Sequence, residues 1–378
     1  MGLFDYFNKK KENKTNDNEK NGSEKKSNKR KTLVKDFEEI VERGNEEEIK
    51  AVFKKCDINA YGGFYKTNAL GFLLPNEVMK WLVNQGADIN YKGRFQMTPL
   101  HLHAHEINGQ IDCLIRLGAN IEAKDYMGET PLFAAAGSFR LDNVKALVEA
   151  GANVNARNTM WETALLKALK RATNANIPML VQIVSYLLAY GAKLTGKEQQ
   201  EVERIGKDFE WFRENMEPDT IKEIEPELMK LYEIFHVNPV PKRVQYDGVS
   251  NITVKANRWQ DQFDELWQLL VPSKGAASTI QGEVVRICGR LSYEILDNGK
   301  INWDNDFIKM TSVLKEYINQ GNLLSSDEQN EINVITKNII RNKPSAIEDE
   351  LSRLTELCVK WVLLNPDPIP LEKVEYNR

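Results

Sequence analysis

The sequence predicts an all-α fold, in which an α-solenoid of repeated helix-turn-helix units with short hairpin fingers is followed by a C-terminal α-helical domain. Three observations predict it. A short motif recurs at nearly constant spacing through the first half of the 378 residues. Each copy is flanked by residues that start and stop a short helix. In the second half, helix start signals precede apolar residues at helical spacing, and no apolar run reaches the roughly 20 residues of a membrane span.

The repeated motif has two halves that keep a fixed register. "GADIN" at residue 86 recurs as "GANIE" at 118, "GANVN" at 151 and "GAKL" at 191. A threonine motif recurs as "TNAL" at 67, "TPLH" at 98, "TPLF" at 130 and "TALL" at 163. In all four copies the last residue of the "DIN"-like triplet lies eight positions before the threonine. This regularity indicates a stack of structural repeats.

Each unit carries the signals of two consecutive helices. The threonine is a helix N-cap, and the proline that follows it in two copies occupies the first helical position, where its missing N–H costs nothing. Small residues such as Ala135 allow neighbouring helices to approach closely. A second, amphipathic helix follows, as in "VKALVEA" at 144, and a glycine such as Gly151 ends it. A single unit leaves an apolar face exposed, so the units must stack.

These motifs resemble the ankyrin repeat, and the resemblance covers about residues 36–195. It implies four to five stacked units, a degenerate first unit that acts as an end cap, and a longer inter-helix loop around "RATNANIP". It also implies a protein partner bound through the finger loops and the groove beside them. The fold alone does not identify the partner, so we infer the contacting residues from the chemistry of their side chains.

Three of the four histidines, His101, His103 and His105, alternate within "TPLHLHAH". His101 and His105 share a helix face, which suggests a metal site as one interpretation. Two imidazoles without a nearby cysteine make a weak site, because zinc takes three or four protein ligands, so we expect no metal and no cofactor. The resemblance instead implies that His101 hydrogen-bonds within and between repeats, that His103 is buried, and that His105 faces the groove.

The finger loops are the candidates for partner contact. When the copies of the repeat are aligned, each carries an apolar side chain at the position that normally forms the exposed tip of a finger. Such a row of apolar side chains, one repeat apart, is typical of a binding hot spot. The alternative is that each apolar side chain folds back onto the neighbouring finger. With two groove positions added, the predicted partner-binding residues are Phe64, Arg94, Phe95, His105, Glu106, Tyr126, Met127, Met160 and Trp161.

Composition divides the chain into four segments. Residues 1–31 carry ten basic and five acidic side chains, and residues 8–31 contain no apolar side chain, so we predict a disordered basic tail. The repeats occupy 32–195, a helical linker and loop 196–256, and an acidic α-helical domain 257–378. Residues 196–378 carry 23 basic and 32 acidic side chains, which disfavours nucleic acid and favours a basic protein partner.

The acidic domain opens several helices with clear start signals. We predict these starts at the capping boxes Ser278–Gln281, Ser326–Gln329 and Ser345–Glu348 and at Asp304. The first helix carries a polar stripe of Glu283, Arg286, Arg290 and Glu294. A catalytic interpretation makes the glutamates acid and base and the arginines an anion site. We favour a solvated, salt-bridged helix face, because no histidine, cysteine or serine nucleophile accompanies the carboxylates.

The sequence therefore predicts a non-enzymatic, cytoplasmic protein-binding module. Four cysteines without a paired motif indicate a reducing compartment. By analogy with bacterial antidotes that occur beside toxins, an acidic chain of this kind fits a neutraliser of a basic toxin. Two alternatives remain open. One is a peripheral membrane adaptor with weak membrane association through residues 1–11, where aromatic residues precede lysines. The other is an enzyme with its site in residues 257–378.

Overall fold

The computed structural model describes residues 29–341 and 347–377, which fold mostly into helices. This confirms the all-α class and the series of short helices expected for a solenoid. The α-helices in this part of the chain are α1 (Phe37–Arg43), α2 (Glu46–Val52), α3 (Asn76–Asn84), α4 (Pro99–His105), α5 (Ile111–Arg116), α6 (Pro131–Gly137), α7 (Leu141–Glu149), α8 (Ala164–Arg171), α9 (Ile177–Ala189), α10 (Glu198–Phe212), α11 (Pro218–Phe235), α12 (Trp259–Leu270), α13 (Ile280–Ser292), α14 (Asn305–Tyr317), α15 (Ser326–Ile340) and α16 (Ile347–Leu364).

The chain forms two compact units, and each is described by itself. Of the described residues, the first unit contains those up to Ala135 together with Ala146–Ala152, and the second contains Ala136–Lys145 and those from Asn153 onward. Within the described residues, no helix is both long enough and apolar enough to cross a bilayer.

A small sheet begins the first unit. Strand β1 (Arg30–Thr32) runs parallel to β2 (Cys56–Gly62), which pairs antiparallel with β3 (Thr67–Asn68). The basic tail was predicted to extend to residue 31, and this end of the prediction is wrong, because Arg30 donates its N–H to the Lys55 carbonyl at 3.0 Å. Main-chain pairing requires no apolar side chain, so composition did not reveal this strand. Residues 1–28 lie outside the described residues.

The helix start and stop signals of the repeats act as predicted. Thr98 forms a capping box with His101 at the start of α4, and the Thr163 hydroxyl accepts the Leu166 N–H at 3.3 Å at the start of α8. After α3 and α5 the chain turns at Gly86 and Gly118, whose φ angles of 92° and 97° lie in the left-handed region. A side chain at either position would strain the backbone, which explains the glycines.

The second unit contains the linker helices and the helical domain. Two linker helices, α10 and α11, are followed by a segment without regular secondary structure up to α12. Helix α13 is central to the domain, since α12, α14 and α16 all pack against it. The core includes Trp361, which is completely buried.

Two of the predicted helix starts in this domain are displaced by one residue. Asp304 caps α14 as predicted. Helix α13 is capped by Thr279 instead of Ser278. The main chain of Ser278 forms a strand-like contact instead, in which its carbonyl accepts the N–H of Leu371 at 3.2 Å. Helix α15 is capped by Ser325, because Glu328 completes that capping box with a charged carboxylate. The proposed box at Ser345 lies outside the described residues.

The C-terminal segment, residues 365–377, lies against helix α13. Ile280 donates its N–H to the Ile369 carbonyl at 2.8 Å, and Thr279 forms an isolated bridge with Pro370. The Gln281 side chain donates to the carbonyls of Asn365 and Asp367 and accepts the N–H of Ile369. These contacts fix the segment and bring Tyr376, near its end, into the core.

Candidate protein-binding site

Asparagine side chains connect successive repeats at the base of the fingers. In the first unit, Asn59 Oδ1 accepts the Asp88 N–H and Asn90 Oδ1 accepts the Asn120 N–H, each at 2.7 Å. In the second unit, Asn155 Oδ1 accepts the Lys193 N–H, also at 2.7 Å. These asparagines are the last residues of the repeated triplets. The recurrence was visible in the sequence, but it did not show that their side chains hold the next repeat in place.

Three aromatic side chains of the first unit form a continuous exposed surface, the aromatic row, consisting of Phe64, Phe95 and Tyr126. The ring centroids of Phe64 and Phe95 are 6.5 Å apart, and those of Phe95 and Tyr126 are 5.4 Å apart. The Tyr126 N–H donates to the Phe95 carbonyl at 2.9 Å, which couples the two loops. Although each ring contacts its neighbour, Phe64 is 65 %, Phe95 39 % and Tyr126 57 % exposed.

Arg94 adds a positive charge to the aromatic row. Its guanidinium carbon lies 4.8 Å from the Phe64 ring centroid and 5.0 Å from the Phe95 ring centroid. Such cation–π contacts hold a long side chain in one position, so less entropy is lost when a partner binds. The row is therefore a preorganised surface of the composition that protein interfaces favour.

Met127 is not part of the aromatic row, although sequence register aligned it with Phe95. It is half-buried, and Tyr126 packs against Phe95 instead. The reason is a difference between two turns. Phe95 lies within a 3-10 turn with a positive φ of 59°, whereas the next finger is closed by Asp125, whose side chain accepts the Met127 N–H at 2.8 Å.

The finger of the second unit exposes Met160 and Trp161, which are 48 % and 73 % exposed. Arg157 donates to the Trp161 carbonyl at 3.0 Å, and its guanidinium lies over the indole. Trp161 has a φ of 61°, close to the 74° of Gly128 at the corresponding position of the preceding finger. A bulky side chain in this conformation costs on the order of 1 kcal/mol, and such strain concentrates at functional sites.

His101 connects two fingers of the first unit. Its Nδ1 accepts the Thr98 N–H at 3.2 Å, so the ring proton is on Nε2, which donates to the Glu129 carbonyl at 3.0 Å. Both ring nitrogens are thus bound by protein, and neither is available to a metal ion in this arrangement. Burial lowers the pKa of His101, which keeps the ring neutral. The hydrogen bonds within and between repeats agree with the role that the resemblance implied.

His103 is buried on the same helix. Its Nδ1 accepts the Gln110 N–H at 3.1 Å, and its Nε2 donates to the Leu70 carbonyl at 3.1 Å. Burial lowers its pKa to about 4. Within the described part of the chain, no group of three or more histidine, cysteine, aspartate or glutamate side chains is placed to hold a metal ion.

His105 and Glu106 line a cleft of the first unit, as their predicted groove position suggested. The cleft has a volume of about 230 Å³ and also borders the first finger at Phe64. The structure therefore brings these three predicted residues to one site. Its other walls include Glu38, Thr67 and Phe72, which the sequence did not indicate as binding residues because they belong to the degenerate first repeat.

The polar stripe of α13 is not a solvated face throughout, and that prediction is wrong for Glu283 and Arg286. The side chains of Glu283 and Arg286 are 0 % and 1 % exposed and pair at 2.6 Å. Glu283 also accepts the Tyr376 hydroxyl at 2.6 Å and the Ala277 N–H at 3.0 Å. The pair is buried because the C-terminal segment covers α13, a long-range contact that helical periodicity does not reveal. Arg290 is exposed.

Glu294, the other carboxylate of the catalytic interpretation, is buried too. It lies in a π-helical turn, Tyr293–Asp297, and accepts the Asn302 N–H at 2.6 Å and the Asn298 amide at 2.8 Å. These contacts fix the loop that follows. Both carboxylates of the stripe are therefore buried and hydrogen-bonded within the protein, which supports a structural role for them.

Comparison with known families agrees with the repeat geometry. Residues 72–158 match a family model of ankyrin repeats in three copies, and residues 132–188 match a second model of ankyrin repeats in many copies. Residues 72–188 are therefore ankyrin repeats, a class of protein–protein interaction module. Neither match extends into α10–α16, and no curated protein matches the chain.

Proposed function

We propose that this chain binds a protein partner through its ankyrin fingers, with the aromatic row as the main contact surface. The observation that carries the proposal is the row itself: three exposed rings on adjacent loops, held by ring contacts, a main-chain hydrogen bond and Arg94. Exposed aromatic and arginine side chains on rigid loops are typical of binding hot spots. Met160 and Trp161, exposed on the finger of the second unit, are further contact residues in this proposal.

The partner we propose is basic. The net charge of −9 over residues 196–378 attracts a basic surface and repels nucleic acid phosphates. A non-enzymatic antidote that neutralises a basic toxin in the cytoplasm fits these features. All four cysteines are free and buried, which is compatible with a reducing compartment.

The test compares the native chain with a double variant of the aromatic row. A partner co-purified with the native chain is identified, and its affinity is measured by calorimetry. Phe95→Ala with Tyr126→Ala should weaken binding by about 30-fold or more, since hot-spot side chains contribute about 2 kcal/mol or more. Arg94→Ala should cost less and depend more on salt, as an exposed charge does.

Val334→Ala is the matched control, because Val334 is 57 % exposed and belongs to α15, which is not part of the repeats. It should leave the affinity unchanged. The double variant should melt close to the native protein, because exposed tips contribute little to the core. An intact affinity together with a much lower melting temperature would show that the row is internal packing.

A further inference from the structure

The cleft beside the first finger has the size of a site for one side chain. Its volume of about 230 Å³ is below the roughly 300–1,000 Å³ of sites that hold whole small molecules. It is lined on its apolar side by Phe64, Phe72, Met97 and Leu102. Such walls suit the hydrocarbon stem of a long side chain whose polar end reaches beyond them.

The charged groups of the cleft favour a cation. Glu38 and Glu106 both line it, and no lysine or arginine is among its lining residues. The Glu38 carboxylate lies near Gly63, another residue of the cleft lining, since a Cβ atom built on Gly63 would be 3.1 Å from Oε1. Within the described residues Glu38 makes no ion pair. A cation entering the cleft would therefore meet a carboxylate that no cationic side chain of the described residues already pairs with.

A buried hydroxyl in the same cleft lacks a hydrogen-bond partner. Thr67 is only 3 % exposed, and its Oγ1 has no partner among the described residues. In later repeats the corresponding threonine caps a helix, but here Asn68 caps the 3-10 turn by accepting the Leu70 N–H at 3.2 Å. Gly71, also in the lining, lets the Thr67 side chain pack closely against it, because a Cβ atom at Gly71 would lie 2.3 Å from Oγ1. An unpaired buried hydroxyl destabilises the fold, and a bound donor would relieve that cost.

We propose that this cleft binds a lysine side chain of the protein partner, with the ammonium group held by Glu38 and the Thr67 hydroxyl. The inference rests on the proposed function and names the residue that the partner presents. Lysine fits better than arginine, because an ammonium group can donate to separate single acceptors, whereas a guanidinium favours a bidentate carboxylate or an open ring face. Arg94 already stacks on the ring of Phe64.

The test needs no partner, because the probe is Nα-acetyl-lysine methylamide added to the full chain. Chemical shifts of the Met97 and Leu102 methyl groups are followed by NMR. Saturable shifts at millimolar probe are expected, with the norleucine analogue, which lacks the charge, binding at least about tenfold more weakly. Glu38→Gln should weaken lysine binding about fivefold or more. Glu39→Gln, an exposed neighbour on α1 outside the cleft, should not change it.

The variant Thr67→Val distinguishes an effect of the hydroxyl on lysine binding from an effect on folding stability. It should weaken lysine binding several-fold while leaving the melting temperature equal or higher, because it removes an unpaired buried hydroxyl. Equal binding of the lysine and norleucine analogues, or tighter binding of the arginine analogue, overturns the proposal. Contacts from the chain's own lysines to these methyl groups, without probe binding, would also overturn it. None of these results alters the test of the aromatic row, so the two proposals fail separately.

Discussion

At the scale of single residues, His101 and His103 have different structural roles within one repeat. His101 links two fingers through a hydrogen bond, in addition to its part in the helix cap, whereas His103 hydrogen-bonds two main-chain groups inside the stack. Both rings must be neutral to make the observed hydrogen bonds, because in each ring one nitrogen accepts and the other donates. The first unit therefore carries two buried histidines that resist protonation.

His103 predicts a pH dependence of stability in the acid range. Its pKa is about 4 in the folded chain and about 6.5 when exposed, so the unfolded state binds the proton more readily. The contribution of this residue to stability is present above pH 6.5 and falls as the pH drops towards 4, by about 2–3 kcal/mol between pH 7.5 and 4.5. His103→Gln keeps a donor and an acceptor but does not titrate.

The measurement is the free energy of unfolding by urea at pH 7.5 and 4.5. The loss on acidification should be about 2–3 kcal/mol smaller in His103→Gln than in the native chain. His105→Gln is the control, since His105 lies exposed at the end of the same helix. An unchanged loss in His103→Gln would mean that the buried ring does not govern the acid response.

At the scale of elements, helix α13 shows how packing changes the meaning of a charge pattern. Glu283 and Arg286 have the three-residue spacing of an ordinary surface pair. The C-terminal segment and three helices cover them, and Tyr376 and the Ala277 N–H complete their hydrogen bonds. A buried pair of this kind is sensitive to the loss of any one partner, because the remaining charge stays out of water.

Tyr376→Phe should therefore destabilise the second unit by about 1.5–3 kcal/mol, the contribution of a hydrogen bond to a charged group. Glu283→Gln should cost more, about 3–5 kcal/mol, since it leaves Arg286 buried without its counter-charge. Urea unfolding monitored by tryptophan fluorescence measures both. Tyr293→Phe, at a tyrosine that is 62 % exposed, should have no effect. Equal, small losses in all three variants would contradict a cooperative buried network.

At the scale of the whole molecule, strand β1 includes residues that composition had assigned to a disordered tail. Strand β1 joins the first unit through main-chain hydrogen bonds, and Leu33, directly after it, is 5 % exposed. Residues 8–28 contain no apolar side chain that could add to a core. The boundary between dispensable and required sequence should therefore fall between residues 28 and 34.

Two shortened chains test this boundary. A chain that begins at Lys29 should melt within about 2 °C of the full chain. One that begins at Val34 loses β1 and Leu33, and should melt several degrees lower, because burial of one leucine contributes about 2 kcal/mol. Differential scanning calorimetry gives both values. A large loss on removing only residues 1–28 would show that this segment contributes to stability.

The sequence by itself determined the repeat and its local chemistry. Three local signals specify the repeat: the fixed distance from Asn90 to Thr98, the threonine cap and the helix-ending glycines. Each acts within a few residues, so it can be recognised in the sequence without knowledge of the fold. The same locality made His101, Phe64, Phe95 and Met160 predictable as repeat and finger positions.

Only the tertiary structure decided what depends on distant contacts. Sequence register aligned Met127 with Phe95, but Tyr126 is the residue that packs against Phe95 in the aromatic row, because the turns of the two fingers differ in geometry. The burial of Glu283 depends on Tyr376, which lies 93 residues away in sequence. The cleft joins Glu38 and Thr67 to Glu106, because stacking brings together side chains that periodicity cannot relate. Local signals specify elements, whereas burial and sites arise from which elements pack together.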